Sequence, residues 1–91
     1  MVNKTWLERK LVIMKVYGYE KSNEDFVELR EASIECTMDE LDRIIKFLQN
    51  TKEQHNKAKG KTEICHSHYR DWDKEWSKEQ SDIIIVTTFY D

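Results

Sequence analysis

Residues 65–76 read CHSHYRDWDKEW, a run that places a thiol, two imidazoles, a guanidinium, three carboxylates and two indoles within twelve positions. Three kinds of chemistry use such residue types. A thiolate next to an imidazole makes a nucleophile–base pair. Two histidines with a carboxylate can hold zinc, which takes three or four nitrogen, sulfur or oxygen ligands. Tryptophan, tyrosine and arginine together are the residue types enriched at protein–protein hot spots.

Backbone geometry separates these options. If residues 64–70 are extended, successive side chains point to opposite faces. Ile64, His66, His68 and Arg70 then share one face, and Cys65, Ser67 and Tyr69 share the other. Cys65 therefore points away from both histidines, which removes the local dyad. A dyad built on Cys36 would use a thiol at a helix N-terminus, where thiolates are stabilised. The simpler role for Cys36 is that of a small residue closing an apolar face.

His66 and His68 can address one cation, with Asp71 or Asp73 as a third ligand if the chain turns there. An H-x-H pair on a strand lacks the spacing information of a zinc finger or a metalloprotease helix. Trp72 and Trp76, four apart, would stack on one side of a helical turn. They are equally suited to lidding an open sheet end and to gripping a partner. His66, His68, Tyr69, Arg70, Asp71, Trp72, Asp73 and Trp76 form the expected partner-binding surface, with no catalytic, metal or cofactor site assigned.

The elements that must position this run are legible in outline. LVIMKVYGY at 11–19 is β-branched and aromatic, as in a central strand. EKSNED turns near Ser22 and Asn23, and FVELREASIEC returns as the second strand of a hairpin, with a bulge expected near Arg30. Thr37-Met38-Asp39-Glu40 opens a helix with a capping box. Leu41, Ile44, Ile45 and Leu48 follow at helical spacing as its buried stripe. Beyond Leu48 there is almost nothing to bury, so the helix is expected to run in solvent toward Gly60. Strands near 62–70 and at 83–89 complete the order ββαββ. The expected architecture is α+β, one domain over 1–91, with a mainly antiparallel four-stranded sheet and one amphipathic helix on a face.

Bulk properties narrow the function. The 91 residues are 38% hydrophobic and 36% charged, with a net charge of −3. So thin a core favours stabilisation by a partner or a second copy, and a homodimer paired through an exposed strand edge is one such arrangement. The lysines around the helix end, Lys52, Lys57, Lys59 and Lys61, have no aromatic residue among them to stack on bases, which argues against nucleic acid. Residues 71–82 carry five acids against two lysines, a patch able to steer a basic partner. Neither glycine sits in a phosphate-cradling motif, and no cofactor is expected. LVIM is too short for a signal sequence or a membrane span, so a cytoplasmic setting with reduced Cys36 and Cys65 is expected.

Three segments in order, ELREASIECTMDELDRIIKFL, HSHYRDW and SDIIIVTTF, give the chain a resemblance to the immunity protein 32 type of small protein from bacterial polymorphic toxin systems. The matching positions are Glu28 to Glu31, His66, His68, Tyr69, Asp71 and Asp82 to Val86. Tyr69 stands where that pattern has an aliphatic residue, and the link after Asp71 is longer and rich in tryptophan. The resemblance implies a protein that neutralises a partner toxin by binding and has no reaction of its own. A small metal-binding domain or metal-dependent enzyme centred on His66 and His68 is the alternative from another class.

Overall fold

In the computed structural model, which describes residues 14–89, the element order is β1 (Val16–Gly18), β2 (Val27–Leu29), α1 (Met38–Ala58), β3 (Ile64–His68), α2 (Tyr69–Trp72) and β4 (Ile84–Thr88). Residues 11–13 of the first expected strand lie outside the described residues. The architecture is α+β, but the expected four-stranded sheet is replaced by two separate two-stranded antiparallel sheets, β1–β2 and β3–β4. The reason is local: each strand pairs with its neighbour in sequence, and three-residue strands leave β1–β2 little backbone with which to extend a ladder. By contact density the chain divides into two units, Met1–Glu35 and Cys36–Asp91.

In the first unit, Val16 pairs with Leu29, Tyr17 with Glu28 and Gly18 with Val27. The expected turn is present: Asn23 donates its N–H to the Glu20 carbonyl and accepts from the Asp25 N–H through its side chain at 2.8 Å. Tyr17 and Tyr19 each lie 5.0 Å from Phe26 by ring centroids. The second strand ends at Leu29 and the chain bends at Arg30, so the expected strand does not continue through 31–36.

In the second unit, α1 begins at the expected capping box. The Glu40 N–H donates to the Thr37 hydroxyl at 3.1 Å, and the Thr37 N–H donates to the Glu40 carboxylate at 2.8 Å. That backbone N–H, aided by the Thr37 hydroxyl, holds the Glu40 carboxyl below its ordinary value. The helix ends at Ala58, and Gly60 follows with φ of 86°, a conformation that favours glycine.

The face that α1 buries differs from the predicted stripe. Phe47, Thr51 and His55, at i, i+4 and i+8, are its buried residues, while Leu41, Ile45 and Leu48 remain about two-fifths exposed. Only Ile44 of the predicted stripe is half-buried. Phe47 decides the rotation: it packs edge-on against Tyr69 at 5.3 Å and against Trp72 at 5.8 Å. An aromatic cluster of this size has more apolar area to bury than the aliphatic stripe. The second half of the helix is consequently not a solvated extension, because Thr51 and His55 lie under the β3–β4 hairpin.

β3 and β4 pair in one register: Ile64 with Thr88, Cys65 with Thr87, His66 with Val86, Ser67 with Ile85 and His68 with Ile84. Alternation follows from this. Cys65, Ser67, Ile85 and Thr87 face α1, and Ile64, His66, His68, Ile84, Val86 and Thr88 face the other way. Among the described residues, no helix is long and apolar enough to cross a membrane.

Candidate functional site

The run that opened the sequence straddles three settings. Its first residues belong to β3, Tyr69–Trp72 form α2, and the chain from Asp73 to Asp82 returns in turns to β4. Asp82 holds both ends of this excursion. One of its oxygens accepts from the backbone N–H of Arg70 and of Ile83, each at 2.9 Å. The other lies 2.7 Å from Nδ1 of His68. A carboxylate on Nδ1 fixes the imidazole and leaves Nε2 as the presented nitrogen, the arrangement used by general bases and by metal-ligating histidines.

His66 stands beside it, exposed, its ring perpendicular to that of His68 with centroids 5.6 Å apart. Among the described residues no group of three or more His, Cys, Asp or Glu side chains is arranged to hold a metal ion. Asp82 is already engaged on Nδ1 of His68, so two histidines of one chain stand short of a zinc ligand set. Cys36 and Cys65 are free thiols, and Cys65 faces α1, away from both histidines.

Tyr69 and Asp73, expected on the partner-binding surface, are buried, at 6% and 7% exposure. The Tyr69 hydroxyl donates to the Asp73 carboxylate at 2.6 Å, and Asp73 also accepts from the Glu75 N–H at 3.1 Å. Arg43 of α1 reaches Asp73 at 3.6 Å and Glu75 at 3.3 Å. The Tyr69 hydroxyl holds the Asp73 carboxyl below its ordinary value, with the Glu75 N–H and the Arg43 charge acting in the same direction. Burial pushes the Tyr69 hydroxyl up, reinforced by its bond to Asp73. This is a polar joint between α1 and the turn.

Trp72 is half-buried against Phe47 and Tyr69. Trp76 is also half-buried, and its indole N–H donates to the Ser81 carbonyl at 3.0 Å. Arg70 and Asp71 are exposed. Of the eight residues named from sequence, His66, Arg70 and Asp71 lie open to solvent, His68, Trp72 and Trp76 present part of their surface, and Tyr69 and Asp73 hold the turn from inside.

His55 had no place in the sequence reading. It is 3% exposed, and its ring bridges two strands: Nδ1 is 2.8 Å from the Thr87 hydroxyl and Nε2 is 2.9 Å from the Ser67 hydroxyl. Burial, with a smaller effect from His66, pushes its pKa below the ordinary 6.5. The neutral ring therefore donates through one nitrogen and accepts through the other. A signal for it exists in the sequence: Phe47, Thr51 and His55 share a helix face, and Ser67 and Thr87 sit on alternating strand positions.

The hydroxyl oxygen of Thr51 is buried and has no hydrogen-bond partner among the described residues. Thr51 also lines an open groove of about 720 Å³ between α1 and β4, with Leu48, Lys52, Ile85, Thr87 and Phe89 among its walls. Comparison with known proteins returns no match to a family model, to a curated protein or to a solved structure.

Proposed function

We propose that this chain is a cytoplasmic protein-binding module of the immunity type, which neutralises a partner toxin by docking the turn between β3 and β4 onto it and performs no reaction of its own. The observation that carries the reading is the pinned turn. Asp82 ties the turn to β3 through His68 and the Arg70 backbone, and Tyr69 and Asp73 tie it to the interior. A surface already held in one conformation loses less entropy on binding. On that support stand Arg70, Asp71 and the outer edges of Trp72 and Trp76, residue types that dominate hot spots. The five acids between 71 and 82 would raise the association rate with a basic toxin domain. The resemblance to the immunity protein 32 type points to the same activity.

The test is co-expression with the toxin domain encoded beside this gene. Rescue of growth and a one-to-one complex are expected. Trp76→Ala and Arg70→Ala should each weaken the complex by more than ~1 kcal/mol while the circular dichroism spectrum is unchanged. A neighbouring toxin that neither binds nor is neutralised would remove the reading.

The Asp82–His68 contact favours one second reading, a metal-binding function centred on His66 and His68. It requires zinc at one equivalent per chain and a melting temperature that falls on adding a chelator; metal-free protein with unchanged melting excludes it.

A further inference from the structure

On the face of the β3–β4 hairpin turned away from α1, ladder parity decides which side chains are neighbours. The Phe89 N–H donates to the Glu63 carbonyl and the Tyr69 N–H donates to the Ile83 carbonyl. Bonded and non-bonded pairs alternate along an antiparallel ladder, so His66 with Val86 and His68 with Ile84 are non-bonded pairs. Side chains of non-bonded pairs stand closest across the strands. Ile64 adjoins His66 along β3 on the same face. Ile64, Ile84 and Val86 are each about half exposed. Two imidazoles therefore sit within an apolar rim.

The two rings are spaced as a chelating pair. Alternate residues of a strand are about 6.6 Å apart, whereas these ring centroids are 5.6 Å apart, so the rings lean together. A zinc ion bonded to two imidazole nitrogens at about 2.1 Å and near the tetrahedral angle leaves the centroids about 5–6 Å apart. One ring is already held in place. Asp82 lies 2.7 Å from Nδ1 of His68, and its other oxygen accepts from the N–H groups of Arg70 and Ile83. Arg70 Nε stands 3.9 Å from the oxygen that holds His68, which balances the charge of this carboxylate. A carboxylate behind a histidine is the usual outer partner of a metal ligand, fixing its tautomer and its direction.

What this face lacks is ligand number. A closed zinc site takes four donors, and no third His, Cys, Asp or Glu side chain joins the pair among the described residues. A two-fold axis through the ion supplies the missing donors, because it presents the same two imidazoles from a second copy. Ligands around such an axis come in equal pairs, and two pairs complete a tetrahedron. The two apolar rims then close around the ion, which removes aliphatic surface from water and limits solvent access to the metal. A partner of different sequence would have to bring matching donors and a matching apolar face, whereas a second copy carries both by symmetry.

We infer that His66 and His68 of two copies of this chain hold one divalent ion of the zinc type between them, with the outer faces of the two hairpins packed together. The inference takes its ligands from the metal-binding reading and departs from it in stoichiometry, one ion for two chains. It is independent of the toxin-binding reading.

The experiment is a zinc titration of the full chain, first stripped of metal with a chelator, followed by sedimentation and calorimetry. A mass of 11.0 kDa without metal, a doubled mass with zinc and an end point at one ion per two chains are expected. His66→Ala and His68→Ala should each abolish the zinc-driven dimer with the dichroism spectrum unchanged. Asp82→Asn should lower zinc affinity about 10–100-fold while the melting temperature of the metal-free chain stays the same. Ile84→Lys places like charges in the facing rims and should weaken the zinc-driven association by about ten-fold or more. A monomer that binds one zinc per chain keeps the single-chain metal reading and overturns this inference. A chain that binds no zinc overturns both. A zinc-driven dimer that persists in both histidine variants also overturns it, since the ion then lies elsewhere.

Discussion

The two faces of the β3–β4 hairpin reverse the usual order of polarity. The face under α1 carries Cys65, Ser67 and Thr87 with one aliphatic residue, Ile85, all half-buried. The face turned away carries Ile64, Ile84 and Val86, each about half exposed, around His66 and His68. Over the strands themselves α1 therefore rests on a directed contact, an imidazole shared between two hydroxyls, while its apolar contact is made beyond them, by Phe47 on Tyr69 and Trp72. A directed contact specifies one register, whereas apolar surface left outside is available for association.

Predictions ordered by size can break or sharpen this contrast. Phe47→Ala should cost about 3–5 kcal/mol in urea unfolding, because it empties the aromatic centre that α1 brings to Tyr69 and Trp72. A cost below about 1 kcal/mol would move the core elsewhere. His55→Leu should cost about 2 kcal/mol, since the Ser67 and Thr87 hydroxyls lose their partner inside the molecule. Adding Ser67→Ala and Thr87→Val to that variant should return part of the loss. If the triple variant is no better than the single one, the inner face is held by packing alone.

Acid should act through the same joint. The pKa of His55 is lower in the folded chain than its ordinary 6.5, so the unfolded state binds the proton first. Stability is then full above about pH 6.5 and falls as the pH drops below it, and His55→Leu should remove that part of the dependence. Asp73 adds a second decline below its ordinary 3.8, again because the folded pKa is the lower one. The smallest effect belongs to the outer face: Ile64→Thr should change stability by no more than about 0.5 kcal/mol. A larger loss would mean that this face is covered in solution.

Sequence alone carried the element order, the hairpin turn, the capping box, the stop at Gly60 and the separation of Cys65 from His66. All of these depend on neighbours within a few positions. It misplaced the buried face of α1 because helical periodicity registers where aliphatic side chains recur. Which face packs was settled by Phe47 meeting Tyr69 and Trp72, far along the chain. The single four-stranded sheet failed for a related reason, since hydrophobic strands do not announce their partners. Tyr69 and Asp73 looked like surface chemistry until they were found bonded to each other, and His55 looked like solvent-facing polarity until its two hydroxyl partners arrived from separate strands.

Asp82 has a consequence for how this chain can change. By bonding His68, Arg70 and Ile83 at once, it closes the hairpin at the base of the turn, so strand register does not depend on what lies beyond. Asp73 anchors the near side in the same way. Between them, residues 74–81 behave as an exchangeable insert. Doubling the length of such a loop costs only about 0.6 kcal/mol in closure entropy. A lineage could rewrite that insert to meet new partners while inheriting the clasp and the scaffold unaltered.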